Sequence, residues 1–173
     1  MMAARWLVLG LALGLAGCAA NKLHREGIAL TREGQMEAGV YKLAQAAQDE
    51  PGNAELRKDF HLQRDAWIEQ LLSAARNAQA EGRRAEAQAL FQRVLSFDAN
   101  NVAAADGLRR LESDREHAAI MATARRAFAE GDLEQAQQLL RPVVQHAPGH
   151  GPAQQLQREI TDGLAKRQAP EPV

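Results

Sequence analysis

One short pattern occurs three times in this chain, and that repetition constrains the fold more than any other feature. The first copy is Glu33-Gly34-Gln35-Met36-Glu37-Ala38-Gly39, followed by Leu43, Ala46 and Pro51-Gly52-Asn53. The second is Glu81-Gly82-Arg83-Arg84-Ala85-Glu86-Ala87, followed by Phe91, Val94 and Asp98-Ala99-Asn100-Asn101. The third is Glu130-Gly131-Asp132-Leu133-Glu134-Gln135-Ala136, followed by Leu140, Val143 and Pro148-Gly149. The turn glycines Gly34, Gly82 and Gly131 lie 48 and 49 residues apart. Ala, Leu, Gln, Glu and Arg dominate the composition, and all are good helix formers. Aromatics make up 4% and β-branched residues are thin, which argues against an all-β fold.

Each position in the pattern has a physical role. A glycine ends the first helix of a pair because a positive φ costs it little. The small residue at Gly39, Ala87 and Ala136 lets two helices approach closely. The large apolar residue at Leu43, Phe91 and Leu140 fills the groove beside it. Pro51 and Pro148 stop the second helix, and Ala99 stands in the equivalent place in the middle copy. In this arrangement the chain resembles the tetratricopeptide repeat family, whose helix–turn–helix units carry small, large and proline positions in this order. The first helices agree: Leu23, Gly27 and Leu30 in copy one, Leu71, Ala75 and Ala78 in copy two, and Ile120, Ala124 and Ala127 in copy three. The resemblance implies an all-α solenoid of tetratricopeptide-like helical hairpins, with three repeats over residues 23–167 and a capping helix.

Three departures from that family are visible. The period exceeds the usual length of roughly 34 residues. Arg84 stands where a large apolar residue is usual. Pro142 lies inside the third copy's second helix and predicts a bend. The extra length falls in the first helices. Leu56, Phe60, Gln63, Trp67, Leu71, Ala74 and Ala78 recur at helical spacing, so residues 54–81 read as one helix of roughly 40 Å. Residues 102–130 read the same way, and Leu156, Ile160 and Leu164 mark a closing helix over 152–167. Residues 168–173 are proline-rich and aperiodic, a tail or linker.

The N-terminus carries an address. Trp6 to Ala16 is an unbroken apolar run. It is too short to span a bilayer, which needs about 20 apolar residues, and it matches a signal-peptide core. It ends in Leu15-Ala16-Gly17-Cys18, and Cys18 is the sole cysteine. This is similar to a bacterial lipobox. The resemblance implies removal of residues 1–17, lipidation of Cys18, and a short linker over 18–22 leading into the repeats. Ala19, where an aspartate would signal retention in the inner membrane, implies an outer-membrane anchor with the body facing the periplasm. Three acyl chains hold a protein far more firmly than one.

Other chemistry is sparse. A single cysteine excludes an intrachain disulfide and the cysteine-rich zinc sites. A net charge of −1 argues against a nucleic-acid partner. Phosphate loops, nucleophile elbows and zinc-protease motifs do not occur. His146 and His150 are four apart, but Pro148 and Gly149 between them predict a loop, so no metal site is assigned. His24, His61 and His117 read as solvated or satisfied. The run 112–116 reads as a solvated face or a charged docking strip. Trp67 is either a packing residue or an interface anchor, and Tyr41 shares that ambiguity with core packing favoured. Arg83 and Arg84 either face solvent or receive an acidic partner segment.

The expected function is therefore non-enzymatic, with no cofactor and no small-molecule substrate. A lipobox, long-helix repeats and a proline-rich tail together resemble the N-terminal region of some secretins, the ring channels of type II secretion and type IV pilus machines. That resemblance implies protein partners, among them secretin subunits. A pilotin-like lipoprotein is a related reading. A generic envelope lipoprotein recruiting peptidoglycan enzymes is the alternative.

Overall fold

The computed structural model describes residues 18–168. Seven helices occur among them. They are α1 (residues 18–32), α2 (Met36–Asp49), α3 (Ala54–Ala80), α4 (Arg84–Phe97), α5 (Val102–Ala129), α6 (Leu133–His146) and α7 (Gly151–Gln168). The described chain is thus all-α, a succession of helical hairpins. Its first helices α3 and α5 have 27 and 28 residues, whereas α2, α4 and α6 have 14 each. The lipobox residues Leu15, Ala16 and Gly17 and the tail from residue 169 lie outside the described residues.

Two kinds of turn repeat in register. After α1, α3 and α5 the glycines Gly34, Gly82 and Gly131 take φ of 82°, 75° and 84°. Each glycine N–H bonds back to Thr31, Gln79 or Phe128, and the next N–H bonds to Leu30, Ala78 or Ala127 at 2.8–2.9 Å. This double closure is the Schellman cap, which satisfies carbonyls that the helix end leaves free. After α2, α4 and α6 the chain makes a second turn. Here the N–H of Asn53, Asn101 and His150 donates to the carbonyl of Glu50, Asp98 and Ala147 at 2.9–3.1 Å. Asn53, Asn101 and His150 then cap the next helix by accepting from Leu56, Ala104 and Ala153. Pro51 and Pro148 occupy these turns, each directly after the C-cap residue, Glu50 or Ala147.

The chain divides into two compact units, residues 1–107 and 108–173, with the division inside α5. In the first unit α3 packs against both α2 and α4. Gly27 and Gly39 bring α1 and α2 into contact: a Cβ on Gly39 would lie 2.5 Å from the Thr31 methyl. Ala87 and Leu43 are fully buried and Phe91 nearly so. Gly107 lies under the Phe91 ring, which a Cβ there would meet at 2.4 Å. In the second unit Met121, Ala124 and Ala127 of α5 form a core with Ala136, Leu140 and Val143 of α6 and Leu156 and Ile160 of α7. Arg167 on α7 closes the hairpin by donating to the Gly131 carbonyl at 2.7 Å.

Several expectations need correction. Residues 18–22 are helical, not a linker, because Ala20 is fully buried against Ala46, Ala47 and Leu56. Gln168 still belongs to α7 and not to the tail. Ala74 is exposed, and the buried face of α3 runs through Ile68, Leu71, Leu72, Ala75 and Ala78. A helix packed on two neighbours buries a wider face than one heptad-like stripe describes. Tyr41 is not a core residue: it is 56% exposed. Pro142 lies inside α6, as expected, and the helix runs through it from Leu133 to His146.

Candidate functional site

The first unit carries an open groove of about 510 Å³ where α2, α3 and α4 meet. The Gly34 cap turns the chain so that Met36, Glu37 and Tyr41 of α2 form one wall. Trp67, midway along α3, lines the groove, and Arg93 of α4 completes it. Tyr41 leans on Phe97 of α4, ring centroids 5.3 Å apart and tilted by 44°. The Arg93 guanidinium lies 5.8 Å from the Trp67 ring centroid, a cation–π distance. Its Nε donates to Glu37 Oε1 at 3.1 Å, and a second contact joins Nη2 to Oε2. The pair therefore clamps α4 to α2 across the indole.

One atom in this site is out of balance. The Trp67 Nε1–H is buried and has no hydrogen-bond partner. A buried donor left unpaired costs about 1–3 kcal/mol, so proteins seldom keep one without a use. Tryptophan, tyrosine and arginine are the residues most enriched at energetic centres of protein interfaces. Here all three share one groove, in a chain that is only 4% aromatic.

Of the residues singled out in the sequence, the structure brings Tyr41 and Trp67 together and leaves Arg83 and Arg84 elsewhere. Arg83 is the residue before α4, and it pairs with Glu81 and Glu86 on either side of the Gly82 turn. The hydrogen bonds it donates to those two carboxylates, Glu86 foremost, raise its pKa. Arg84 is exposed at the start of α4. Arg93 and Glu37 were missed. They are 56 positions apart, and no local spacing pairs them. Cys18 is exposed.

The histidines are spread over separate contacts. His24 Nε2 lies 2.8 Å from Asp59 Oδ2, linking α1 to α3. His146 Nδ1 is 2.8 Å from the Pro142 carbonyl, and His150 faces the His117 ring at 6.3 Å. Among the described residues no three His, Cys, Asp or Glu side chains gather as metal ligands would. In the run 112–116, Ser113 is half-buried and the four charged residues are exposed. Among the described residues no helix is long and apolar enough to cross a membrane.

No known family description matches the chain. No curated protein matches it either. Among solved structures it is similar to the C-terminal tetratricopeptide-containing domain of a Plasmodium falciparum protein described as FK506-binding. The two are 16% identical over 88% of this chain and 93% of that one, with a TM-score of 0.27.

Proposed function

We propose that this protein is a non-catalytic, protein-binding scaffold of the bacterial envelope. The observation that carries the binding role is the groove of Tyr41, Trp67 and Arg93, with its unpaired indole N–H. A partner that displaces Arg93 from the ring meets an aromatic face and a donor in need of an acceptor. Helical-hairpin repeats use their surfaces in this way, holding partners without transforming them.

The proposal includes an anchor. Cys18 stands at the end of a lipobox-like sequence and is exposed at the first described position. Lipidation there would hold the scaffold at the periplasmic face of the outer membrane. Together with the long-helix repeats and the proline-rich tail, this favours service to a secretin-based secretion or pilus-assembly machine.

The test separates the layers of the reading. Crosslinking in cells should recover a secretin subunit with the wild-type protein and lose it with Trp67→Ala or Arg93→Glu. Deleting residues 21–167 while keeping the anchor should reduce channel assembly or secretion. Normal secretion, normal piliation and no crosslinked channel would refute the secretin assignment. Recovery of a peptidoglycan enzyme through the same groove would establish the alternative, a general envelope scaffold. Crosslinks indifferent to both substitutions would sink the groove itself.

A further inference from the structure

The aromatic groove of the first unit has an accessible apolar seat. Tyr41 is 56% exposed, and Met36 and Trp67 are half-buried. Its polar groups are already sorted. The one carboxylate lining it, Glu37, has both oxygens engaged by Arg93 through Nε and Nη2. That pairing leaves Nη1, with its two N–H donors, outside the ion pair, and the Tyr41 hydroxyl adds a further donor. The occupant best suited to such a groove brings apolar rings and free carbonyls, and few N–H groups of its own.

Proline supplies that combination. It has a ring, a carbonyl and no N–H. A proline-rich segment in the polyproline II conformation makes no internal hydrogen bonds, so all its carbonyls remain free, and aromatic-lined grooves recognise it. The chain contains six prolines. Pro51 and Pro148 are built into turns, Pro142 lies inside α6, and Pro152 is in the first turn of α7. The other two stand together after α7, in Ala169-Pro170-Glu171-Pro172-Val173. Polyproline II has three residues per turn, which would put Pro170 and Val173 on one face.

We infer that the aromatic groove takes residues 169–173 of a second copy of this chain. The inference rests on the reading of that groove as a binding site and names an occupant for it. Pro170 and Val173 lie against Tyr41, Met36 and Trp67, and a tail carbonyl accepts from Arg93 Nη1. The donor is a second copy because the tail is short. Arg167, at the end of α7, is held within its own unit by the Gly131 carbonyl and Glu134. Five residues that all lie in the groove leave none to lead from the second unit to the first. The contact is heterologous: each copy in a pair keeps one groove or one tail unused, so association is open-ended unless it closes into a ring. It also regulates the site, since an outside partner reaches the groove only by displacing a tail.

The test compares residues 18–173 with residues 18–168, both carrying Cys18→Ser and both containing every described residue. In sedimentation the longer form should self-associate as concentration rises, and the shorter should remain monomeric. Tyr41→Ala, at an exposed position, should abolish association of the longer form and leave its helical spectrum intact. Trp67 is the only tryptophan from residue 18 onward, so its indole N–H gives a single NMR signal. The peptide Ala-Pro-Glu-Pro-Val should shift that signal in the shorter form. Replacing both its prolines by alanine should weaken binding about tenfold or more. The Glu171→Gln version should bind within about threefold of the original, because rings and carbonyls carry the recognition, not charge. Identical sedimentation of the two forms, no indole shift at millimolar peptide, or loss of binding with Glu171→Gln would each overturn the inference. A tail-dependent indole shift in a strictly monomeric longer form would overturn the second copy as its source. If the peptide fails while crosslinks in cells still depend on Trp67 and Arg93, this inference falls and the groove stands; if those crosslinks are indifferent as well, both fall.

Discussion

At the scale of single residues, the glycines separate packing from conformation. Gly107 is flush with the Phe91 ring, which a Cβ would meet at 2.4–2.6 Å. Gly107→Ala should cost about 1–3 kcal/mol through overpacking, read as a lower urea midpoint. Gly52 has nothing within 4 Å of its Cβ position and no positive φ. Gly52→Ala should therefore be neutral or slightly stabilising, by up to about 1 kcal/mol. Trp67 offers the opposite trade. Trp67→Phe removes the unpaired N–H and should leave the free protein as stable or more so, yet weaken partner capture. A large loss of stability would mean the indole N–H is satisfied in solution.

At the scale of elements, each second helix carries a small buried or tightly packed residue in its first turns: Gly39, Ala87 and Ala136. Ala136 is fully buried between α6 and its neighbours. Ala136→Arg should destabilise by several kcal/mol, because it forces a long charged side chain into a core with no partner for it. An unchanged melting curve would contradict the packing described. On the outer side of the first hairpin, Lys42 Nζ donates to Glu26 Oε2 at 2.9 Å. That hydrogen bond, with the lysine's charge, lowers the Glu26 pKa. The pair's contribution is therefore present above the ordinary glutamate range and fades as pH falls through the lowered value. NMR titration of Lys42→Met should move the Glu26 pKa up toward the ordinary glutamate range, with Lys22 still holding it down slightly.

Helix order and limits were legible because the repeat supplies its own register. The cap glycines, the small residues and the turn prolines recur at fixed offsets, and each is dictated by local backbone chemistry. Residues 54–81, expected as one helix, end one residue earlier in the structure. What the sequence did not disclose depends on distance between helices. Arg93 and Glu37 meet only because α2 and α4 both flank α3. Tyr41 looked like core by residue type, but its position in α2 faces outward onto Phe97. The linker assigned to 18–22 failed for a related reason: the burial of Ala20 depends on α2 and α3, not on its own neighbours in sequence.

At the scale of the whole molecule, lipidation gives the most direct prediction. Cys18→Ala should abolish palmitate labelling and release the protein from the outer-membrane fraction. Persistence of either would exclude the anchor at this residue. The position of Ala20 then sets the geometry of attachment. It is buried in the first unit's core, two residues after Cys18. Two residues of helix advance only about 3 Å. A protein lipidated at Cys18 would have no leash: its first helices would be moored at the headgroup layer, unable to swing out into the periplasm. Whatever the aromatic groove captures would have to come to the membrane surface to be caught.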